Sequence, residues 1–206
     1  MTKPPDTVEA ICDKVIGIYR ETAQERFDHF ESTTTSYFDF FIDDIARPPA
    51  KILDIGSGSG KDAAIFASKG YAVLALEPAH ELRALAQAKH ASPLIIWGDD
   101  RLPHLEKTLA RGDIFDHISL NSVIFHLPKD AIAKVMANIA KLLKKDGTVY
   151  LSLRHGPLSQ GRPIFPITEQ DIMKASEGFF DRMKSEHAPD ATRPEISWTR
   201  MLLRKI

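Results

Sequence analysis

Apolar side chains recur at helical spacing over residues 6–30, from Val8, Ile11, Val15, Ile18 and Tyr19 on to Phe27. The stretch TTTSYFDFFIDDIARPP (33–49) predicts a second helix, with the threonine run as its cap and the proline pair as its stop. Beyond residue 50 the pattern changes. KILDI (51–55), YAVLALE (71–77), PLIIW (93–97), IFDHISLN (114–121) and GTVYLSLR (147–154) are short β-branched runs separated by helix-like stretches. Strands buried on both faces read as continuous apolar runs, and parallel neighbours need crossovers. These runs therefore predict a parallel sheet doubly wound by helices, an α/β fold. A helix starting near Thr168 follows, then FFDRMKSEH (179–187) and ISWTRMLLRK (196–205). The connection APDATRPE (188–195) is too short for a parallel crossover, so the last two strands predict an antiparallel hairpin.

The 206 residues suffice for one domain, predicted as a helical N-terminal cap over 1–48 and a core over 49–206. Twenty-seven Lys and Arg against 28 Asp and Glu leave a formal net charge of -1. That balance supplies no broad positive field, which argues against nucleic acid or an anionic membrane as partner. Cys12 is the sole cysteine, so no internal disulfide and no multi-cysteine metal cage is expected. No His/Asp/Glu set has ligand spacing, and no metal is expected. The opening MTKPPDTVEA has no apolar leader and no run approaches a membrane span, so a soluble, cytoplasmic protein is expected.

The candidate chemistry begins at LDIGSGSGKDAA (53–64). Gly56, Gly58 and Gly60 let the chain turn sharply and approach a ligand, with a helix from about Lys61 pointing its positive end at the same spot. A dinucleotide site uses such a turn for pyrophosphate, spaced G-x-G-x-x-G. Here the spacing is G-x-G-x-G, and Asp54, expected to face the ligand, would repel a diphosphate. The same carboxylate favours a ligand with a cationic amino-acid end, as S-adenosylmethionine has in its α-ammonium and sulfonium. Glu77, closing the second strand, is placed to accept both hydroxyls of a ribose. Asp99 in WGDD (97–100) is placed to accept the amine of adenine, with Asp100 beside it and Pro78, Trp97 or Leu102 as walls. Acids at strand ends also serve as helix caps, which is the competing reading of Glu77, Asp99 and Asp100.

The run ILDIGSGSGKDAAIFASKGYAVLALEPA resembles the first two motifs of class I SAM-dependent methyltransferases. WGDDRLP resembles their adenine-binding turn, and FDHISLNSVIFHLPKDAIAKVMANIAKLLKKDGTVYLSLRHG their fourth strand, helix and fifth strand in the small-molecule branch. The tail ISWTRMLLRK resembles their reversed seventh strand. The likeness runs over about residues 15–205. It implies a Rossmann-like seven-stranded sheet in the order 3-2-1-4-5-7-6. It also implies S-adenosylmethionine as cofactor, S-adenosylhomocysteine as product, and cofactor roles for Asp54, Gly56, Ser57, Gly58, Gly60, Glu77, Pro78, Gly98, Asp99 and Asn121. Tyr19 sits where the leading helix of that family often folds over the cofactor.

Methyl transfer from a sulfonium is an in-line displacement in which the protein aligns the nucleophile and excludes water. A base is needed only where the acceptor must lose a proton. His126, in NSVIFHLP, is the candidate catalytic residue, as base or as orienting group; its bland alternative is packing against the cofactor. Tyr37 is a further candidate beside the methyl. Arg154 and His155 stand at the expected mouth, where they either bind an anionic acceptor or form a solvated loop. The chain has NSVI (121–124) where base-modifying amino methyltransferases carry Asn/Asp-Pro-Pro-Tyr/Phe. Residues 5–48 and 154–166 are expected to shape the acceptor site. The reading is methyl transfer to an O, N or S atom of a small molecule. Its rivals are a protein or tRNA methyltransferase, a non-catalytic SAM-binding protein, and an oxidoreductase, against which Asp54 argues.

Overall fold

The computed structural model describes residues 7–33, 36–158 and 161–206. Its seven strands are β1 (Lys51–Ile55), β2 (Ala72–Leu76), β3 (Ile95–Gly98), β4 (Phe115–Leu120), β5 (Leu143–His155), β6 (Phe180–Pro189) and β7 (Ser197–Lys205). They form one sheet in the order β3-β2-β1-β4-β5-β7-β6. β1 to β5 are parallel, β7 is antiparallel to β5, and β6 is antiparallel to β7. Between them run α3 (Lys61–Ser68), α4 (His80–Lys89), α5 (Glu106–Arg111), α6 (Ile132–Leu142) and α7 (Glu169–Ala175). The winding reverses between β1 and its neighbours β2 and β4, and such a switch opens a crevice at the carboxyl ends of the strands.

Alternate residues of the strands bury against opposite layers, which is why the strand sequences carry no polar face. Leu53, Ile55, Leu74, Ile118 and Leu120 pack with the α6 stripe Ile132, Val135, Met136 and Ile139. Ile52, Val73, Ala75 and Ile95 pack the other way, with Ala63 and Phe66 of α3. Among the described residues no helix is long and apolar enough to cross a membrane.

Three predicted elements differ from those observed. The apolar pattern of 6–30 is two helices, α1 (Val8–Glu21) and α2 (Ala23–Ser32). They break at Thr22, at φ -109 and ψ 24, whose hydroxyl donates to the Ile18 carbonyl at 2.7 Å. A hydroxyl competing for the backbone in this way weakens a helix interior. The helix predicted over 33–49 is two short 3-10 turns, Ser36–Phe40 and Ile42–Asp44; Thr34 and Thr35 of its expected cap lie outside the described residues. In a 3-10 turn residues i and i+3 align. Phe38 and Phe41 thereby reach one aromatic nest, 4.9 Å from Phe66 and 4.5 Å from Tyr150 respectively, centroid to centroid. Aromatic burial overrides helix spacing here. β5 begins at Leu143 rather than Gly147. It bends at Asp146, with φ 60, and at Gly147 it runs so near β4 that a Cβ would stand 3.0 Å from the Asp116 carbonyl.

Phe41 is fully buried between the sheet and α3, so Phe41→Ala is expected to cost about 3–5 kcal/mol. The urea midpoint should fall accordingly, while a loss under about 1 kcal/mol would show that this segment does not pack on the sheet as described.

Candidate active site

The turn after β1 holds Gly56 at φ 71 and Gly58 at φ 57. A Cβ on Gly56 would lie 2.8 Å from Val123 Cγ2, and one on Gly58 3.3 Å from the Phe30 ring. The N–H groups of Gly56 and Ser57 both donate to the Leu76 carbonyl at 2.9 Å, and that of Gly60 to the Ser57 carbonyl at 2.8 Å. Gly58 N–H donates to Glu77 Oε2 at 3.0 Å, and Ala79 N–H to Oε1 at 2.8 Å. These donors are already engaged within the protein. A diphosphate would have to compete for them, which a phosphate cradle avoids by keeping its donors free.

α2 is tied down over this turn. Ser59 Oγ donates to Glu31 Oε1 at 2.7 Å, and Lys61 Nζ to the carbonyls of Glu31 and Thr33 at 2.7 and 2.5 Å. Beneath the lid lies a cavity of about 760 Å³. Of the predicted site residues, Gly56, Ser57, Gly58, Glu77, Pro78, Asp100, Asn121, Tyr19 and His126 line it, together with Leu102 and Tyr37.

Gly60, Gly98, Asp99 and Asp54 do not line it. A Cβ on Gly60 would strike Trp97 at 2.3 Å, and one on Gly98 would strike Leu76 at 2.6 Å. Both are glycines of close packing, and Trp97, taken up by that packing, is no wall of the cavity either. Asp99 points outward, pairing with Lys107 at 2.9 Å and Arg83 at 3.7 Å. Asp100 is the acid that reaches the cavity, but its Oδ2 accepts from Thr108 N–H and O–H, each at 2.7 Å, and so caps α5. His155 also turns away from the cavity, bonding Thr199 Oγ1 at 2.8 Å, whereas Arg154 lines it.

Asp54 is 2% exposed, beneath the turn rather than facing the cavity, and its Oδ2 has no hydrogen-bond partner. Asp62, the second residue of α3, reaches the cavity wall in its place and receives Asn121 Nδ2 at 3.2 Å. Sequence reasoning passed over Asp62, although it stands in the quoted GKDA. Burial, then the charges of Asp62 and Glu77, hold the Asp54 carboxyl well above its usual range. Burial likewise raises Asp62, against the bond from Asn121. It takes Glu77 to about 7, against the N–H groups of Ala79 and Gly58. Two buried carboxyls and a partly buried third, all reluctant to ionise, make a site that a cation would stabilise.

On the far side, His126 Nδ1 donates to the Pro163 carbonyl at 2.8 Å. Its Nε2 is therefore the acceptor, 3.3 Å from the Tyr19 hydroxyl, which receives Arg162 at 2.7 Å. Burial, and then the guanidinium groups of Arg162, Arg26 and Arg154, push His126 down to about 4. The cavity is completed by Asp190–Arg193 of the β6–β7 loop, Trp198 and Arg200, none of them foreseen; Ser159 and Gln160 of the expected 154–166 loop lie outside the described residues. Among the described residues no group of three potential ligands could hold a metal ion.

The glycine turn at β1 and the sheet order define a class I SAM-dependent methyltransferase fold, the class whose cofactor is S-adenosylmethionine. The chain belongs to a methyltransferase domain family, whose profile matches residues 24–184. It is 32% identical over 115 residues to a ubiquinone biosynthesis O-methyltransferase of Xanthomonas campestris, a match covering 55% of this chain and 47% of that protein. The chain thus spans about half the length of that relative. An uncharacterized methyltransferase of Bacillus licheniformis is 23% identical over 88% of this chain and 82% of its own. In structure, Burkholderia thailandensis 1,6-didemethyltoxoflavin-N1-methyltransferase superposes with a TM-score of 0.80 at 20% identity, covering 100% of this chain and 93% of that one.

His126 should remain neutral in an NMR titration of its ring from pH 8 down to about 5, protonating only near 4. A midpoint near 6.5 would mean that the ring is not held as described.

Proposed function

We propose that this chain transfers the methyl group of S-adenosylmethionine to an O, N or S atom of a small-molecule acceptor. The carrying observation is one cavity that joins the glycine turn, Asp62 and Glu77 at the first strands to His126, Arg154, Arg162 and Trp198 around the later ones, with Asn121 also on its wall. The protein residues fit the cofactor. Asp62, with Asp54 behind it, answers the cationic amino-acid end, and Ser57 Oγ, buried without a partner, offers a further polar contact. Glu77 keeps unused lone pairs on each oxygen for ribose hydroxyls, and Pro78 and Leu102 flank the base.

When bound, the sulfonium supplies both the methyl group and a good leaving group. The chain then has to orient the acceptor and keep water out, a positioning task. α2 and the 3-10 turns cover the cavity on one side, and the β6–β7 loop on the other. His126 suits orientation better than proton abstraction. A base works best with a pKa near the working pH, and this ring sits near 4 with its free nitrogen turned to Tyr19. The related ubiquinone and toxoflavin methyltransferases, named for small-molecule pathways or substrates, support the acceptor class.

Asp62→Asn and Asp54→Asn should each weaken S-adenosylhomocysteine binding at least about tenfold in calorimetric titration, with the thermal transition retained. Unchanged affinity in both would count against the acid pair. Methyl-tritiated S-adenosylmethionine, incubated with the protein and a cell extract, should label the small-molecule fraction. Label confined to tRNA or protein would move the acceptor class, and cofactor binding without label in any fraction would favour a non-catalytic binding protein.

A further inference from the structure

Six arginines line the cavity. Three are ion-paired, Arg101 with Asp13, Arg193 with Asp190 at 2.7 Å and Arg200 with Glu186 at 2.9 Å. The other three, Arg26, Arg154 and Arg162, have no carboxylate within ion-pair distance among the described residues. Among the described residues Arg154 donates only to the Pro157 carbonyl, at 2.8 Å. Arg162 donates to the Tyr19 hydroxyl, and its Nε is buried without a partner. Arg26 and Arg162 stand 5.7 and 5.5 Å from the Tyr19 ring centroid. Buried donors normally find acceptors, and like charges gathered at one cavity wall repel. The groups are close enough that burial and then the charges of Arg193 and Arg162 lower the Arg154 pKa.

The cofactor brings a carboxylate of its own, which accounts for one guanidinium. Arg26 is placed for that role, one helical turn before Phe30, whose ring packs on Gly58 at the cofactor turn. Arg154 and Arg162 come instead from the end of β5 and the segment behind it, beyond Asn121, with Phe125 and Trp198 as apolar walls. We propose that the methyl acceptor carries an oxyanion, a carboxylate or a phosphate, held by Arg154 and Arg162 next to the Tyr19–His126 pair. A guanidinium takes either group in a forked, charge-assisted hydrogen bond. The inference rests on the methyl-transfer reading above and names the acceptor's chemical class.

The test is a calorimetric titration of the S-adenosylhomocysteine-loaded protein with benzoate, phenyl phosphate and benzamide at constant ionic strength. Benzoate or phenyl phosphate should bind at least about tenfold tighter than neutral benzamide, and the stronger of the two identifies the oxyanion. Arg154→Met and Arg162→Met should each remove most of that preference, Arg154→Lys should keep part of it, and S-adenosylhomocysteine affinity should hold in both Arg154 variants. Anions binding no tighter than benzamide, or a preference intact in both Met variants, would overturn the proposal. Failure of S-adenosylhomocysteine to bind the unaltered protein would instead remove the methyl-transfer reading beneath it.

Discussion

The site depends on gathering three carboxyl groups around one glycine turn, Asp54 and Glu77 buried and Asp62 partly so. Taking a carboxylate out of water is costly, and neighbouring like charges add to the cost, so each carboxyl is held above its ordinary range and a nearby cation would favour its ionised form. Glu77 meets part of the requirement with two backbone N–H groups, yet still titrates near 7. Among the described residues Asp54 Oδ2 has no donor. The fold holds this arrangement because the acids lie at the ends of β1 and β2 and the start of α3, clamped by sheet pairing and by the stitched turn. A cationic amino-acid tail relieves what the protein leaves unbalanced. The same constraint disfavours a diphosphate twice over, through the negative field and through turn donors already in use.

Across the cavity the polarity is reversed. Asp62 and Glu77 stand at the first strands, whereas Arg154 and Arg162, at the end of β5 and in the segment beyond it, have no ion-pair partner among the described residues. Asn121 stands at the divide. Its amide N–H donates to Asp62, and its carbonyl accepts from Ser152 Oγ at 3.1 Å, so both polar ends are fixed before any ligand enters. A side chain held from both ends loses little further freedom on binding, which is the physical content of preorganisation.

The strands were legible because sheet burial leaves uninterrupted apolar runs, and the hairpin because eight-residue connections cannot cross over. The glycine turn was legible for the same local reason. What escaped was tertiary. Gly60 completes the G-x-G-x-G run and Gly98 stands in the WGDD turn that resembles an adenine-binding one, but Trp97 and Leu76 occupy the space beside them. WGDD offers two acids, and which one points inward depends on α5, whose orphan N–H groups take Asp100 while Lys107 draws Asp99 outward. Asp54 was read as facing the ligand, yet the turn folds over it and presents Asp62 instead. The aromatic segment 36–44 obeys the nest around Phe66 and Tyr150 rather than its own periodicity.

Hydrogen-bond direction links the two halves of the lid. The Pro163 carbonyl can only accept, so His126 Nδ1 must donate and Nε2 must accept. Tyr19 must then give its proton to Nε2, which leaves its oxygen lone pairs for Arg162, the donor observed there. One direction runs through the chain, and three segments distant in sequence, α1, the turn after β4 and the segment behind β5, are joined by it. Protonating His126 would reverse the middle bond and put a fourth positive charge among Arg26, Arg154 and Arg162, which is why burial and charge together keep the ring neutral. The imidazole is a neutral link, donating to the Pro163 carbonyl and accepting from the Tyr19 hydroxyl.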